Sequence, residues 1–187
     1  YSAGMDVALS ALNSSNGTVS VTAGAGYSTA GAITDNLSAD GSNVVTAGRL
    51  TLSAVTGIGS VAFERALKTT VGSIELTNGL SGDVTIAETD GLLIAGIGAH
   101  TLGGNGSINL FVAAGDLRVD SLVTAHGRGA VRLTVAAGTA VLDAALTSEL
   151  GDVSVAADSV QQNAGADFST SSLGDVAVVA DNGAITM

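Results

Sequence analysis

Carboxylates that directly follow glycine are the residues of this chain whose type and spacing best suit chemistry. Asp83, Asp116, Asp152 and Asp175 all occupy such positions. Two carboxylates at a fixed separation in a groove would suit glycoside hydrolysis. A Gly-Asp pair also suits a turn, in which the aspartate accepts hydrogen bonds from backbone amides. The turn interpretation is favoured, so we predict no catalytic residue.

The two histidines, His100 and His126, are the next candidates, because they lie near expected corners of the fold about one repeat apart. Two imidazoles without a third ligand form a weak metal site. The run Gly103–Gly106 begins like a calcium-binding nonapeptide, but Ile108 stands where a ligand aspartate is needed. We therefore predict a turn here and no metal ligands, with weak calcium binding at facing aspartates left open.

The basic residues do not predict a phosphate or nucleotide site. Lys68 is the only lysine, and no Gly-Lys-Ser/Thr follows a glycine-rich loop. Arg118, Arg128 and Arg132 are close in sequence, and we expect surface ion pairs with Asp116, Asp120 or Asp143 rather than a basic patch. No Gly-x-Ser-x-Gly elbow supports a serine nucleophile. We predict no cofactor.

Composition excludes several classes of protein. The 187 residues include 26 Gly, no Pro and no Cys, and the net charge is −11. Nucleic acid and anionic membranes are poor partners for such a chain, because binding phosphate requires Lys and Arg. A disulfide scaffold is impossible without Cys. The 46% of apolar residues predicts a folded chain rather than a disordered one.

A repeated unit, Gly-x-apolar-x-apolar, dominates the sequence. Each copy predicts a short strand with a glycine turn before it. In the main series, successive glycines are 22 to 24 residues apart: Gly59, Gly82, Gly106, Gly129, Gly151 and Gly174. A second series follows about nine residues behind, with Val160 near the place of a skipped glycine: Gly91, Gly115, Gly138 and Gly183. A third, weaker apolar position precedes each main strand: Leu102, Leu122, Leu146 and Phe168.

Three short strands in each repeat predict an all-β fold, a right-handed parallel β-helix with about 23 residues per rung and about eight rungs. A rung is one circuit of the chain about the axis. Two inward columns are expected: Phe63, Ile86, Leu110, Leu133, Val155 and Val178, beside Val61, Val84, Ile108, Val131, Val153 and Val176. A β-sandwich is the competing fold, but it rarely keeps one period over five steps.

The domain prediction is a single β-helical segment over residues 1–187, taken from a longer repetitive protein. The register is least certain in residues 1–58, where the glycine spacing is irregular. Within this part, Tyr27–Asp40 is either an inserted loop or a rung with a longer turn.

The repeats resemble those of filamentous-haemagglutinin-type adhesins. The resemblance rests on Gly151-Asp-Val-Ser-Val-Ala-Ala157, Gly174-Asp-Val-Ala-Val-Val-Ala180 and Asp181-Asn-Gly-Ala-Ile-Thr-Met187, and it is clearest from Gly82 to Met187. It implies a β-helical shaft in a large secreted or surface-exposed bacterial protein. The Asn-Pro motifs of the family's secretion domain are missing, because the chain has no Pro.

The expected function is therefore a structural, non-catalytic shaft of a large extracellular or cell-surface adhesin-like protein. Its expected partners are flanking rungs of the same chain or other copies of itself, and host or neighbouring-cell glycans or proteins would bind through other regions. One alternative is a subunit that stacks end to end into an extracellular filament. A second is a β-helical protein that binds or cleaves glycans.

Overall fold

The structure is a computed structural model that describes residues 2–26, 29–36, 45–59, 66–171 and 173–187. Within these ranges every regular element is a β-strand, and no helix is present that could cross a membrane. The strands are β1 (Ser2–Ala3), β2 (Val7–Leu9), β3 (Leu12–Asn13), β4 (Thr18–Ala23), β5 (Ile33–Asp35), β6 (Val45–Ala54), β7 (Leu67–Asn78), β8 (Val84–Glu88), β9 (Leu92–Thr101), β10 (Ile108–Val112), β11 (Leu117–Val119), β12 (Val123–Ala125), β13 (Val131–Val135), β14 (Thr139–Leu142), β15 (Leu146–Ser148), β16 (Val153–Ala157), β17 (Ser159–Gln162), β18 (Phe168–Ser169), β19 (Val176–Ala180) and β20 (Ile185–Thr186).

The strands pair in parallel and stack into a β-solenoid of about seven rungs, with equivalent residues roughly 23 apart. The predicted all-β, parallel β-helical fold is confirmed. From Val84 to Val176 the rungs take 22 to 24 residues. From Val7 to Val84 they take 25 or 26. Because the N-terminal rungs are longer, the chain forms about seven rungs instead of eight.

Each complete rung has three faces, as the rung of β12, β13 and β14 illustrates. We call these the first, second and third faces, in chain order. Each strand pairs with the strand of the same face in the rungs before and after it. The longer strands β6, β7 and β9 run around a corner and contribute to more than one face.

The two predicted inward columns of the second face are buried over four successive rungs. The eight residues pair in the expected register: Val84, Ile86, Ile108, Leu110, Val131, Leu133, Val153 and Val155. In the last rung Val178 is partly buried and Val176 is exposed, because β19 pairs with β16 alone. Val160 occupies the skipped position of the third face, between Ala140 and Ile185.

The prediction for the rung before Val84 needs correction. Ile58 lies beside Val84 and Leu67 beside Ile86, in the positions assigned to Val61 and Phe63. Val61 and Phe63 themselves lie outside the described residues. The spacing of Gly59 fits the period of 23, but the rung is longer than that period assumes.

The predicted first-face column is right for Leu146 and Phe168, which pair with each other. It is wrong for Leu102 and Leu122, which are exposed. Ala99 and Val123 occupy those two places, since Val123 pairs with both Ala99 and Leu146. Leu122 is one residue out of register, and a shift of one residue in a strand reverses the face to which a side chain points.

Extra residues in the N-terminal rungs interrupt the second face. The breaks lie between Leu9 and Leu12, between Asp35 and Val45, and between Ile58 and Leu67. Of the run from Tyr27 to Asp40, the described residues 33–35 form β5, which pairs with β2. Residues 27–28 and 37–40 are outside the described ranges. The described part therefore matches a rung with a longer turn.

Glycines at the corner between the first and second faces stack with almost no separation. A Cβ atom on Gly106, Gly129, Gly151 or Gly174 would lie only 2.0 to 2.4 Å from the carbonyl oxygen of the preceding glycine in the stack. Gly82 heads this run and lies against residues 56 and 57, so Gly57 and not Gly59 is the glycine above it. Hydrogen at this position is therefore a packing requirement.

We expect Gly129→Ala to lower the free energy of unfolding by about 1–3 kcal/mol, because its Cβ atom would overlap the carbonyl oxygen of Gly106. Gly79→Ala is the matched control, since its Cβ atom would lie 3.6 Å from the nearest oxygen. Guanidinium unfolding followed by circular dichroism measures both variants. Equal midpoints for the two variants would contradict the stacking argument.

Candidate functional site

The predicted Gly-Asp corners form hydrogen bonds from one rung to the next. The Ser107 amide donates to Asp83 Oδ1 at 2.7 Å, and the Ala130 amide donates to Ser107 Oγ at 3.1 Å. The Asp175 amide donates to Asp152 Oδ1 at 3.1 Å. At each of these corners, the side chain of one rung accepts the N–H group of the equivalent residue in the next rung.

The same arrangement occurs at other corners. The Thr139 amide donates to Asp116 Oδ1 at 2.8 Å, and the Arg128 amide donates to Asn105 Oδ1 at 2.9 Å. Asn105 has a φ of 70°, so the Gly103–Gly106 run is the predicted turn. Four aspartates considered for catalysis thus include three that bind backbone amides of the next rung, which confirms the turn interpretation for Asp83, Asp116 and Asp152.

The histidines do not form a pair. His100 lies in β9 opposite Thr124, and its Nε2 contacts the carbonyl oxygen of Ile97. His126 follows β12, and its Nε2 lies 3.7 Å from Glu149 Oε1. Across the described ranges, no three His, Asp or Glu side chains are close enough together to hold a metal ion.

The ion-pair prediction is right for one of the three arginines. Arg118 lies 2.5 Å from Asp120 and 3.0 Å from Asp143. Arg128 and Arg132 have no carboxylate within ion-pair distance among the residues that the structure describes, so that part of the prediction is wrong. Both are exposed.

Glu75 forms a separate contact on the surface of β7. Its carboxylate accepts hydrogen bonds from the Ile97 amide at 3.1 Å, from Arg49 at 2.7 Å and from Thr51 at 2.9 Å. These donors, the Ile97 amide first, hold the pKa of Glu75 below its ordinary value. The stability that they provide is therefore lost as the pH falls through that lowered pKa.

A buried polar column at the end of the first face has no counterpart in the sequence prediction. The Asn78 side chain donates to the carbonyl oxygen of Gly82 at 2.6 Å, and Thr101 donates to that of Gly106 at 2.7 Å. Ser148 and Thr170 bind carbonyl oxygens of the same glycine stack. Each residue directly follows the short apolar strand of its rung, so a polar residue at this fixed offset was the available signal.

Glu88 is the second feature that sequence reasoning missed. It is 1% exposed and occupies an inward position, opposite Val112 of the next rung. Its carboxylate is close to four donors: the Thr69 hydroxyl at 2.7 Å and the amides of Val71, Thr89 and Asp90 at 3.0 to 3.4 Å. The period-two pattern of β8 places residue 88 inward, which could have marked it as buried.

Burial raises the pKa of Glu88 to about 7, although the Thr69 hydroxyl and the backbone amides act in the opposite direction. Because this pKa lies above the model value of 4.5, the folded chain keeps a proton that the unfolded chain releases between these two pH values. Folding is therefore favoured by acid at this residue. The effect is greatest below the unfolded pKa and disappears as the pH rises through the folded value.

One outward groove crosses the second face, and we call it the second-face groove. Its volume is about 220 Å³, and it is lined by side chains of β8, β10 and β13. Thr85, Asn109 and Arg132 are register partners on successive strands, as are Phe111 and Thr134. The groove therefore combines hydroxyl, amide, guanidinium and aromatic groups on a flat parallel sheet.

We expect Glu88→Gln to remove part of the pH dependence of unfolding between about pH 4.5 and 7. Relative to this variant, the wild-type protein should lose at most about 3 kcal/mol of stability over that interval as the pH rises. Urea unfolding at several pH values measures the difference. Parallel stability curves for the two proteins would show that Glu88 does not titrate in this range.

Comparison with known proteins finds no matching family model, no similar curated protein and no similar solved structure.

Proposed function

We propose that this chain is a shaft segment of a large extracellular or cell-surface protein of the filamentous-haemagglutinin type. Its role is mechanical: it holds another region of the same protein at a fixed distance from the surface. The segment itself is non-catalytic. Its immediate partners are flanking rungs that cover the ends of its sheets.

The observation that carries this proposal is the continuity of the parallel pairing. On the second face, Val84 to Val176 form one uninterrupted series of register partners across five rungs. About seven rungs at about 4.8 Å give a rod about 34 Å long. Since each rung contacts only its neighbours, further rungs extend such a rod without changing its cross-section.

The corner side chains give the proposal further support. Asp83, Asp116 and Asp152 bind backbone amides across rungs, so these carboxylates contribute to the cohesion of the rod. The remaining acidic surface, with a net charge of −11 for the chain, favours solubility. A cysteine-free chain folds without a disulfide and so suits export and folding outside the cell.

Removing one full rung tests the shaft proposal. Deletion of residues 131–152 from the full-length protein joins Ala130 to Val153, which is the register partner of Val131. We expect a folded rod that is shorter by about 4.8 Å and still reaches the surface of intact producing cells. Electron microscopy measures the length, and antibody labelling of unpermeabilised cells measures display.

Deletion of residues 131–141 is the matched control, because it removes half a rung and breaks the register. This variant should fail to fold. The shaft proposal is wrong if only permeabilised cells are labelled, or if the full-rung deletion folds but the protein is no longer displayed.

A second candidate function is end-to-end assembly into a filament, and the last described rung favours it. Strands β18, β19 and β20 each pair on one side only. Val176, Ile185 and Met187 are exposed there beside the unpaired edge. Such an edge is a template for another parallel strand, whether it comes from the same chain or from another copy.

Substitution at this edge separates the two functions. If copies stack end to end, Val176→Lys with Ile185→Lys should abolish high-molecular-weight species in sedimentation velocity, because charge is then placed in the joint. Exposed Leu122, on a lateral surface, provides the control Leu122→Lys, which should leave assembly unchanged. A wild-type protein that stays monomeric at all concentrations would exclude the filament.

A further inference from the structure

We propose that the second-face groove binds a sugar acid, a pyranose that carries one carboxylate group. The proposal concerns a lateral surface of the rod and stands whether or not the chain is a shaft. The groove, of about 220 Å³, is smaller than the roughly 300–1,000 Å³ of sites for drug-sized ligands. Its size therefore suits a single monosaccharide unit.

The register fixes the spacing of the polar groups in the groove. Thr85, Asn109 and Arg132 follow one another on β8, β10 and β13, about 4.8 Å apart from strand to strand. Phe111 and Thr134 lie two residues further along β10 and β13, on the same face, about 6.6 Å from Asn109 and Arg132. Several groups can thus contact different atoms of one six-membered ring.

Thr85 provides the observation that points to a ligand. It lines the groove and is only 6% exposed, and its hydroxyl has no hydrogen-bond partner. A buried hydroxyl without a partner is unfavourable, and native structures rarely keep one. A hydroxyl group of a sugar in the groove would supply the missing partner.

Arg132 determines the charge of the ligand. Its guanidinium is exposed and has no ion-pair partner in the described part of the chain. A guanidinium binds a carboxylate through two parallel hydrogen bonds. Because the groove contains one arginine and the chain carries a net charge of −11, it favours a single carboxylate over a polysulfated chain.

The remaining groups suit the other parts of a sugar. The Asn109 amide can donate and accept hydrogen bonds, and the Thr134 hydroxyl can do the same, so both match ring hydroxyls. Phe111 supplies apolar surface, which matches the C–H groups of a pyranose. A simple aliphatic carboxylate would use only Arg132 and leave these groups without a contact.

Titration with glucuronic acid at neutral pH tests the site, with chemical shifts or calorimetry as the readout. We expect binding on the order of millimolar for such a small ligand. Arg132→Gln should weaken it about tenfold or more, while Arg128→Gln should change it less than about twofold, since one hydrogen-bonded charge pair is involved. Arg128 is a matched control because it is also exposed and unpaired, but lies outside the groove.

Thr85→Val keeps the test interpretable, because it retains the shape of the side chain and removes only the hydroxyl. This variant should unfold at a higher denaturant concentration and bind glucuronic acid several-fold more weakly. The proposal is overturned if glucose or acetate binds as tightly as glucuronic acid, if only a polysulfated glycan binds, or if nothing binds. Equal losses in Arg132→Gln and Arg128→Gln would also overturn it.

Discussion

Every strand in this fold depends on backbone hydrogen bonds to the rungs above and below it. Along the faces the parallel ladder supplies these bonds without help from side chains. At the corners the ladder is interrupted, and a buried N–H or C=O group left without a partner would be costly. Asp83, Asp116, Asp152 and Asn105 accept the exposed amides, and the column of Asn78, Thr101, Ser148 and Thr170 donates to carbonyl oxygens of the glycine stack. The residues that resembled candidates for chemistry are in large part the groups that hold the corners together.

The fold could be predicted from the sequence wherever one period governs the chain. From Gly82 onward the glycine spacing and the alternation of apolar residues identify the correct strands, register and inward columns of the second face. They fail at Leu102 and Leu122, because a three-residue strand contains too little alternation to distinguish its inward residue from a neighbour. They also fail at Gly59, because an insertion in that rung happens to preserve the spacing of 23.

The groups of the candidate site were harder to predict, since they depend on contacts between rungs. Nothing in the local sequence distinguishes Arg132 from Arg118, yet one is free and the other is held by two carboxylates. The groove forms because Thr85, Asn109 and Arg132 share a register position although they are 23 or 24 residues apart. Glu88 shows the reverse situation, in which a charged residue type conceals an inward position that the alternation had already indicated.

The breaks in the N-terminal second face have a practical consequence for protein engineering. Ile58 and Leu67 lie beside Val84 and Ile86, two residues of one strand, so the connection between them leaves the column and returns to almost the same place. The paired residues on either side keep their register although eight residues intervene. Peptides of different length and sequence can therefore be grafted between Ile58 and Leu67 as epitopes or tags, on a scaffold whose core does not need to be redesigned.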